Sequence, residues 1–342
     1  MTTPSFRRHG KIIKGDHAPH FDSKDEACGN NAQHEEKSSG TLRKFSKQNR
    51  SSTTVTTNGY LKARFADAIE YTGSPQGLRG LLLIWGLFGS MAGFWLVARF
   101  GPSMLASSDW FVTILGGTLF LPTLCAFGIY LILWTARLEL FRPEDEPTIF
   151  DRRNRKVYRV FRETWPGWRG LFKRWPLRAA EYDWNLIDVE HQATLMTTGS
   201  TVTRYHALVF IVKKSATDPT VVDGFTIGHT LELGEQTVPA LWEHIRRFME
   251  EGGPHLPPGE TLAPAQPPKG LWQSLAAVGP VGSSYKRWWK DNAGFMILIH
   301  VLFPVFVPFF LLWGLCNWLS YLTATRIDWS IEVKAAVGPS LD

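Results

Sequence analysis

The chain has 342 residues, a formal net charge of +6 and 44% hydrophobic residues. The distribution of those residues excludes a single large soluble globule: they crowd into roughly 80–136 and 295–322, while the first 75 residues are strongly polar. A basic balance suits nucleic acid or an anionic membrane surface. Because the cations cluster beside the apolar runs, the membrane is the expected partner and nucleic acid is not.

Residues 1–57 are rich in Lys, Ser, Thr, His and Asn and poor in large apolar groups. Such a stretch cannot bury enough surface to offset its ordering entropy, so a disordered cytoplasmic tail is expected. Met1 to His20 has no apolar core, and no cleavable secretory signal is expected. In 58–79, Leu61, Phe65, Ala68 and Ile69 recur near helical spacing between Lys62, Arg64, Asp67 and Glu70. This predicts a short amphipathic helix on the membrane surface.

A transmembrane hairpin is expected over 80–136. Gly80 to Ala98 and Trp110 to Ala136 contain no charged residue, and about 20 such residues cross a hydrocarbon core. Gly116, Gly117 and Pro122 interrupt the second run, as membrane helices tolerate. Gly89 and Gly93 form a GxxxG, with Gly86 nearby. Small residues at this spacing let helices approach closely, and the expected partner is the second run, through Gly116, Gly117 or Gly128. A homodimer is the alternative.

The region 137–251 reads as a β-rich cytoplasmic domain. Thr148 to Phe150 and Lys156 to Phe161 flank the turn-prone Asp151 to Asn154. Further strands are expected at 181–190, 203–213 and 220–227. Val238, Leu241, Trp242, Ile245, Phe248 and Met249 then make one apolar stripe of a closing helix, which Gly252-Gly253-Pro254 ends. Strands followed by one amphipathic helix is the order of a pleckstrin-homology-like barrel.

Residues 252–294 comprise a Pro/Gly-rich linker and a basic-aromatic juxtamembrane stretch. Phe295 to Leu322 carries Pro304 and Pro308 and reads as a third, kinked transmembrane helix, with a re-entrant hairpin as the alternative. A tail follows at 323–342. Lys62, Arg64 and Arg79 precede the first run, Arg137, Arg142, Arg152, Arg153, Arg155 and Lys156 follow the second, and Lys286, Arg287 and Lys290 precede the third. The 99–109 connection holds only Arg99, and the tail only Arg326 and Lys334. By the positive-inside rule, the N-terminus and 137–294 are cytoplasmic and the tail lies on the other side. The expected class is therefore an α+β membrane protein.

No P-loop, GxSxG, HExxH, DxDxDG or Rossmann glycine pattern occurs. The three cysteines, Cys28, Cys125 and Cys316, form no CxxC. His206 and His229 have no second ligand at metal spacing. His300 lies within the third apolar run, where an ionisable group is a functional candidate, but simple packing or interfacial hydrogen bonding is the favoured reading. No enzyme activity, cofactor or metal is expected.

The most unusual soluble stretch is 165–176, WPGWRGLFKRWP. Its candidate membrane-interface residues are Trp165, Trp168, Arg169, Lys173 and Arg174, tryptophans for the interface and cations for anionic headgroups. Lys286, Arg287, Trp288 and Trp289 repeat the chemistry before the third run. Single-strand nucleic-acid stacking and tryptophans packed into the domain are the other readings of this composition.

The polar N-terminal stretch, the apolar hairpin, Pro147 to Tyr158 (PTIFDRRNRKVY), the Glu181-Tyr182-Asp183-Trp184 step and the proline-bearing last run together resemble an uncharacterised bacterial membrane-protein family. That family carries a domain of unknown function and is associated with type VI secretion and Rhs-type toxin loci of Gram-negative bacteria. The resemblance covers roughly 58–335. It implies an inner-membrane accessory or immunity protein with a toxin or secretion component as partner, and brings no catalytic residues. A membrane-anchored regulatory or lipid-sensing module is the alternative.

Overall fold

A computed structural model describes residues 13–14, 38–73, 79–163, 165, 167–173, 175–198, 201–228, 230, 233–263, 270–278, 285, 289–290 and 292–342. The remainder of the expected N-terminal tail, with Cys28, and His229 lie outside the described residues.

The strands, in chain order, are β1 (Ile13–Lys14), β2 (Ser38–Phe45), β3 (Leu61–Arg64), β4 (Ala68–Tyr71), β5 (Thr148–Asp151), β6 (Lys156–Arg162), β7 (Leu177–Asp183), β8 (Ile187–Thr198), β9 (Thr201–Lys213) and β10 (Val221–Ile227). They form two sheets, ordered β1-β7-β6-β5-β4-β3 and β10-β9-β8-β2. All pairings are antiparallel except the two-residue β1 on β7.

The β5–β6 hairpin follows from its turn chemistry. Asp151 accepts from the Asn154 backbone N–H at 3.0 Å and from its side-chain amide at 2.7 Å, and Arg155 takes a left-handed φ of 55°. The stretch 181–190, expected as one strand, is broken at Trp184–Leu186 by a 3-10 turn, where Asp183 accepts from the Asn185 N–H at 2.8 Å. The chain crosses there from one sheet to the other, and Trp184 is fully buried between them.

The helix α4 (Thr237–Arg246), extended by a wider turn to Glu251, closes the core. Among the described residues, three helices precede it in the chain, α1 (Leu81–Leu105), α2 (Val112–Glu139) and the short α3 (Trp168–Phe172). The predicted stripe Val238, Leu241, Trp242, Ile245, Phe248 and Met249 packs on Phe150, Trp184, Phe210 and Phe225. The α4 edge also buries charge. Glu243 binds Arg246 at 2.8 Å and Arg247 at 2.7 Å. Burial opposes ionisation of Glu243, but the Arg246 contact and others outweigh it and hold the carboxyl down at about 2.

Residues 38–57 correct the disordered-tail expectation. β2 pairs along β8, Phe45 stacks on Trp242 at 5.9 Å, and Ser51 donates to Glu243 through its backbone N–H at 2.9 Å and its hydroxyl at 3.0 Å. Polar satisfaction of a buried carboxylate and a free strand edge recruit a segment with almost no apolar periodicity. The amphipathic helix expected in 58–79 is likewise the β3–β4 hairpin. β4 is buried along its whole length because both faces of its sheet are covered. Ile69 and Tyr71 enter the main core, while Ala68 faces a second layer with Ile149 and Tyr158.

Tyr71 and His244 meet in the core at 2.5 Å, and the other His244 ring nitrogen lies 3.0 Å from the Pro254 carbonyl. A carbonyl only accepts, so Nε2 carries the proton and Nδ1 accepts from the tyrosine hydroxyl. Burial pushes this histidine from 6.5 down to about 4. As pH falls from 6.5 towards 4, the unfolded chain takes up a proton that the folded chain refuses, so stability falls over that window. The slope from His244 alone is about 1.4 kcal/mol per pH unit. His191, 2.9 Å from His206, shifts the same way through burial and its neighbour. Melting temperature recorded from pH 7.5 to 4.5 should therefore drop steeply, and His244→Gln should flatten the lower part of the curve.

Three helices are long and apolar enough to cross a membrane: α1, α2 and, after α5 (Leu271–Val278), α6 (Ala293–Leu322). α2 begins with a wide π-helical stretch, Val112–Phe120, before Pro122. α1 and α2 pack closely through small residues. A Cβ on Gly86 would fall on the Thr135 side chain, and one on Gly89 would reach Leu131 Cδ2 at 2.6 Å. At Gly93 the nearest atom, in Leu124, is 3.9 Å away. Gly128 faces Phe94 and Ser90, while Gly116 and Gly117 face Met104 and Leu105. The glycines thus meet helices of the same chain. Gly86→Ala should cost about 1–3 kcal/mol by overpacking a branched, buried neighbour, with Gly89→Ala milder and Gly93→Ala near neutral. Thermal melts in detergent would rank them.

The C-terminal segment differs from expectation. Helix α7 (Ile331–Val337) packs Val333 and Val337, with Trp329 and Phe65, onto Ala68, Ile149 and Tyr158. Thr325 pairs with the 142–144 backbone, Ser340 bridges to Phe65, and Asp342 forms an ion pair with Arg64. The tail therefore lies on the same domain as 137–251, where the charge count had set it on the opposite side. Its few cations carry little positional information, whereas its apolar face fits the open side of the first sheet.

Candidate membrane-interface site

The site is the border between the sheet domain and the apolar helices. Its centre is a buried polar lock. Arg79 donates from Nε to Ser320 Oγ at 2.8 Å and from its two terminal nitrogens to the carbonyls of Pro143 at 2.8 Å and Arg142 at 2.9 Å. Its guanidinium lies 4.4 Å from the centre of the Tyr321 ring. Burial pulls its proton affinity below the ordinary guanidinium value. The Arg79 carbonyl accepts from Asn317 at 2.9 Å and Trp313 at 3.2 Å. Glu139, at the end of α2, accepts the backbone N–H of Gly80 at 3.0 Å and of Leu82 at 3.3 Å. A carboxylate at a helix N-terminus satisfies free donors and meets the positive end of the helix dipole. Gly80 has φ +87°, and a Cβ there would sit 2.6 Å from the Asn317 nitrogen. Sequence reading took Arg79 as a flanking cation and passed over Glu139. Opposite charges at the two ends of one apolar hairpin were the available signal.

The second part is α3 and its flanks. Trp168 and Phe172 are 66% and 84% exposed, yet α3 stands against α2. The Trp168 ring lies 4.5 Å from Tyr130, and a Cβ on Gly170 would be 2.9 Å from Trp134. Tyr130 is nine residues before the end of α2, about 13 Å of helix axis. α3 thus presents apolar side chains outward, beside the apolar part of α2. Arg169 and Lys173 are exposed. Trp165 is half-buried, with the Lys173 ammonium 4.2 Å from its ring centre. Arg174 lies outside the described residues. The buried Trp175 donates to the Gly170 carbonyl at 2.9 Å and packs on Trp134. Among the tryptophans of this stretch, Trp168 points out and Trp175 points in. Trp175 was absent from the sequence-based candidates, and so were Arg137 and Arg162, which lie over it.

The third part is the α5–α6 pair. Leu275 packs on Gly314, while Tyr285 and Trp289 lie beside His300. Rising numbers on one side meet falling numbers on the other, so the two segments run antiparallel. α6 is one continuous helix of 30 residues, and the chain meets the domain again after it, where Thr325 pairs with Pro143. The second half of α6 meets α1, where Phe309, Leu312, Trp313 and Cys316 pack with Leu83 and Ile84. The exposed His300 bonds the Met296 carbonyl at 2.6 Å and the Tyr285 hydroxyl at 3.3 Å. Lys286, Arg287 and Trp288 lie outside the described residues. No cluster of metal-binding side chains occurs among the described residues.

These features define a protein with a mixed α+β domain of two sheets, joined through a polar lock to three helices that are long and apolar enough to cross a membrane. Residues 125–338 match a family of unknown function, DUF6708. The match covers more than half of the chain, and the protein belongs to this family. No curated protein and no solved structure matches it.

Proposed function

We propose that this is a non-enzymatic, multi-pass protein of the bacterial inner membrane whose cytoplasmic domain holds a binding surface for a protein partner at the membrane face. The observation that carries this reading is the Arg79–Glu139–Ser320 lock. A domain tethered by a loop would sample many positions, whereas this one is fixed to three helices by buried hydrogen bonds. The non-enzymatic reading draws support from the buried ionisable groups, which are engaged in structural pairs: Glu243 with Arg246 and Arg247, Tyr71 with His244, and His191 with His206. The resemblance to membrane proteins of toxin loci supplies the partner class, a secreted toxin or a component of its delivery apparatus, and makes immunity or an accessory role the specific proposal.

The test is co-expression with the product of the neighbouring toxin gene, scored for survival and for co-purification in detergent. Rescue with a complex supports immunity. Neither rescue nor complex overturns it. Topology has its own measurement: because the tail packs on the sheet domain, reporters placed after Asp342 and within 214–219 should report the same, cytoplasmic compartment, and opposite compartments would refute this placement. A regulatory or lipid-sensing role is the second reading, favoured by the exposed Trp168 and Phe172 beside α2.

A further inference from the structure

Around Trp175 the border carries cationic groups without acidic partners among the described residues. Arg137 ends α2, and its guanidinium lies 5.6 Å from the Trp175 ring centre. One terminal nitrogen donates to the Lys173 carbonyl at 2.6 Å, while its Nε is buried and has no hydrogen-bond partner among the described residues. Arg162 reaches in from β6, 4.3 Å from the same ring, and donates to the Arg137 and Leu138 carbonyls at 3.0 and 3.4 Å. Burial and then the neighbouring Arg137 and Arg142 charges pull its proton affinity down, with Glu146 the opposing carboxylate. Glu146 already pairs with Arg142 at 3.7 Å. Lys173 adds a further exposed ammonium. None of Arg137, Arg162 and Lys173 forms an ion pair among the described residues.

The α2 carbonyls offset part of this charge, since a helix C-terminus favours cations. About half a charge cannot balance three cations, and a buried unpaired donor still costs free energy. An external anion resolves both. The apolar surroundings say where it comes from: Trp168 and Phe172 lie exposed beside Tyr130 and Trp134 of α2, so a ligand with a phosphate at one end and hydrocarbon at the other would meet both chemistries.

We propose that Arg137 and Arg162, arranged about Trp175, and Lys173, whose ammonium lies 4.2 Å from the Trp165 ring centre, bind the phosphate of an anionic phospholipid whose acyl chains lie against Trp168 and Phe172. This rests on the membrane placement proposed above and is independent of any protein partner. Glu139 and Tyr130 stand roughly 13 Å apart along α2, more than the about 5–8 Å of one headgroup layer, so a phosphate at the α2 terminus leaves Tyr130 beside the acyl chains. Guanidinium groups suit this role because they present several donors in a planar fork to phosphate oxygens.

The full chain in neutral detergent micelles, given short-chain phosphatidylglycerol, should melt at a higher temperature. The same concentration of short-chain phosphatidylcholine or of inorganic phosphate should leave the melt unchanged. Each cation contributes roughly a fivefold gain near an anionic lipid surface, so Arg137→Gln combined with Lys173→Gln should weaken phosphatidylglycerol about thirtyfold. Arg162 also caps α2, so it is left intact in this variant. If the double variant fails to fold, Lys173→Gln alone, with about a fivefold loss, and Trp168→Ser with Phe172→Ser, which removes the acyl contact, carry the test. Equal stabilisation by the two lipids, full stabilisation by inorganic phosphate, or unchanged affinity in the variants would overturn the proposal. Extraction of the wild-type protein from membranes by alkaline carbonate would instead refute the membrane placement itself.

Discussion

Arg79→Ala is expected to lower stability by roughly 3–5 kcal/mol, the range for removing one partner from a buried charged network. The deletion takes one donor each from the carbonyls of Arg142 and Pro143 and from the Ser320 hydroxyl, and removes a positive charge that interacts with the buried Glu139. Water cannot easily replace the lost donors in a pocket closed by Tyr321, Trp313 and Asn317. Arg79→Lys keeps the charge but loses the planar fork that serves carbonyls in several directions, so it should fall between Ala and wild type. Glu139→Gln keeps an acceptor for one N–H and loses the charge complementarity with Arg79. The measurement is thermal unfolding in detergent paired with limited trypsin digestion. Arg79→Ala should melt earlier and open cleavage at Arg137 and Arg142, where the domain joins α2. An unchanged melt with unchanged cleavage would show that the lock does not hold the domain to the helices.

The elements visible in the sequence are those whose signal is local. The apolar runs of α1, α2 and α6 state their own length, the Asp151 to Asn154 turn states its hairpin, and the stripe from Val238 to Met249 states one buried face. What stayed hidden depends on partners distant in sequence. Ser51 has a place because Glu243, far along the chain, needs donors. β4 resembles a helix in spacing because all four of its residues are buried, which removes the alternation that marks a half-exposed strand. The C-terminal helix was read as a free tail because its short apolar face finds its complement only on Ala68, Ile149 and Tyr158.

The candidate site divides along the same line. Composition alone picks out the aromatic-basic stretch 165–176, because tryptophan interleaved with arginine is rare. It cannot say that Trp168 points out and Trp175 in, nor that Arg137 and Arg162 converge on the latter from a helix and a strand. Those facts arise from the packing of α3 against Trp134. The glycines of α1 were legible as a packing stripe, but the grading from Gly86 to Gly93 depends on which side chain of α2 faces each one.

Trp242→Ala is the second large expected effect, at about 3–5 kcal/mol. Trp242 is fully buried on α4 and stacks on Trp184 at 5.9 Å and on Phe45 at 5.9 Å, with Phe210 edge-on at 6.2 Å. It therefore joins α4, the crossing between the sheets and the N-terminal strand β2. Truncation opens a cavity at the one place where all three meet, and rigid neighbours on three sides limit collapse into it. Its indole nitrogen has no hydrogen-bond partner among the described residues although it is buried. That makes Trp242→Phe informative. It removes an unsatisfied donor along with some volume, so the two changes partly cancel and the loss should be well below that of alanine. Trp184 is the contrast, since its indole donates to Glu250 at 2.6 Å. Trp184→Phe leaves that carboxylate short of a donor and should cost more than Trp242→Phe. Chemical denaturation of all four proteins in one detergent would give the ordering. A Trp242→Phe loss equal to that of Trp184→Phe would mean that the indole nitrogens contribute alike and that volume alone sets the stability of this core.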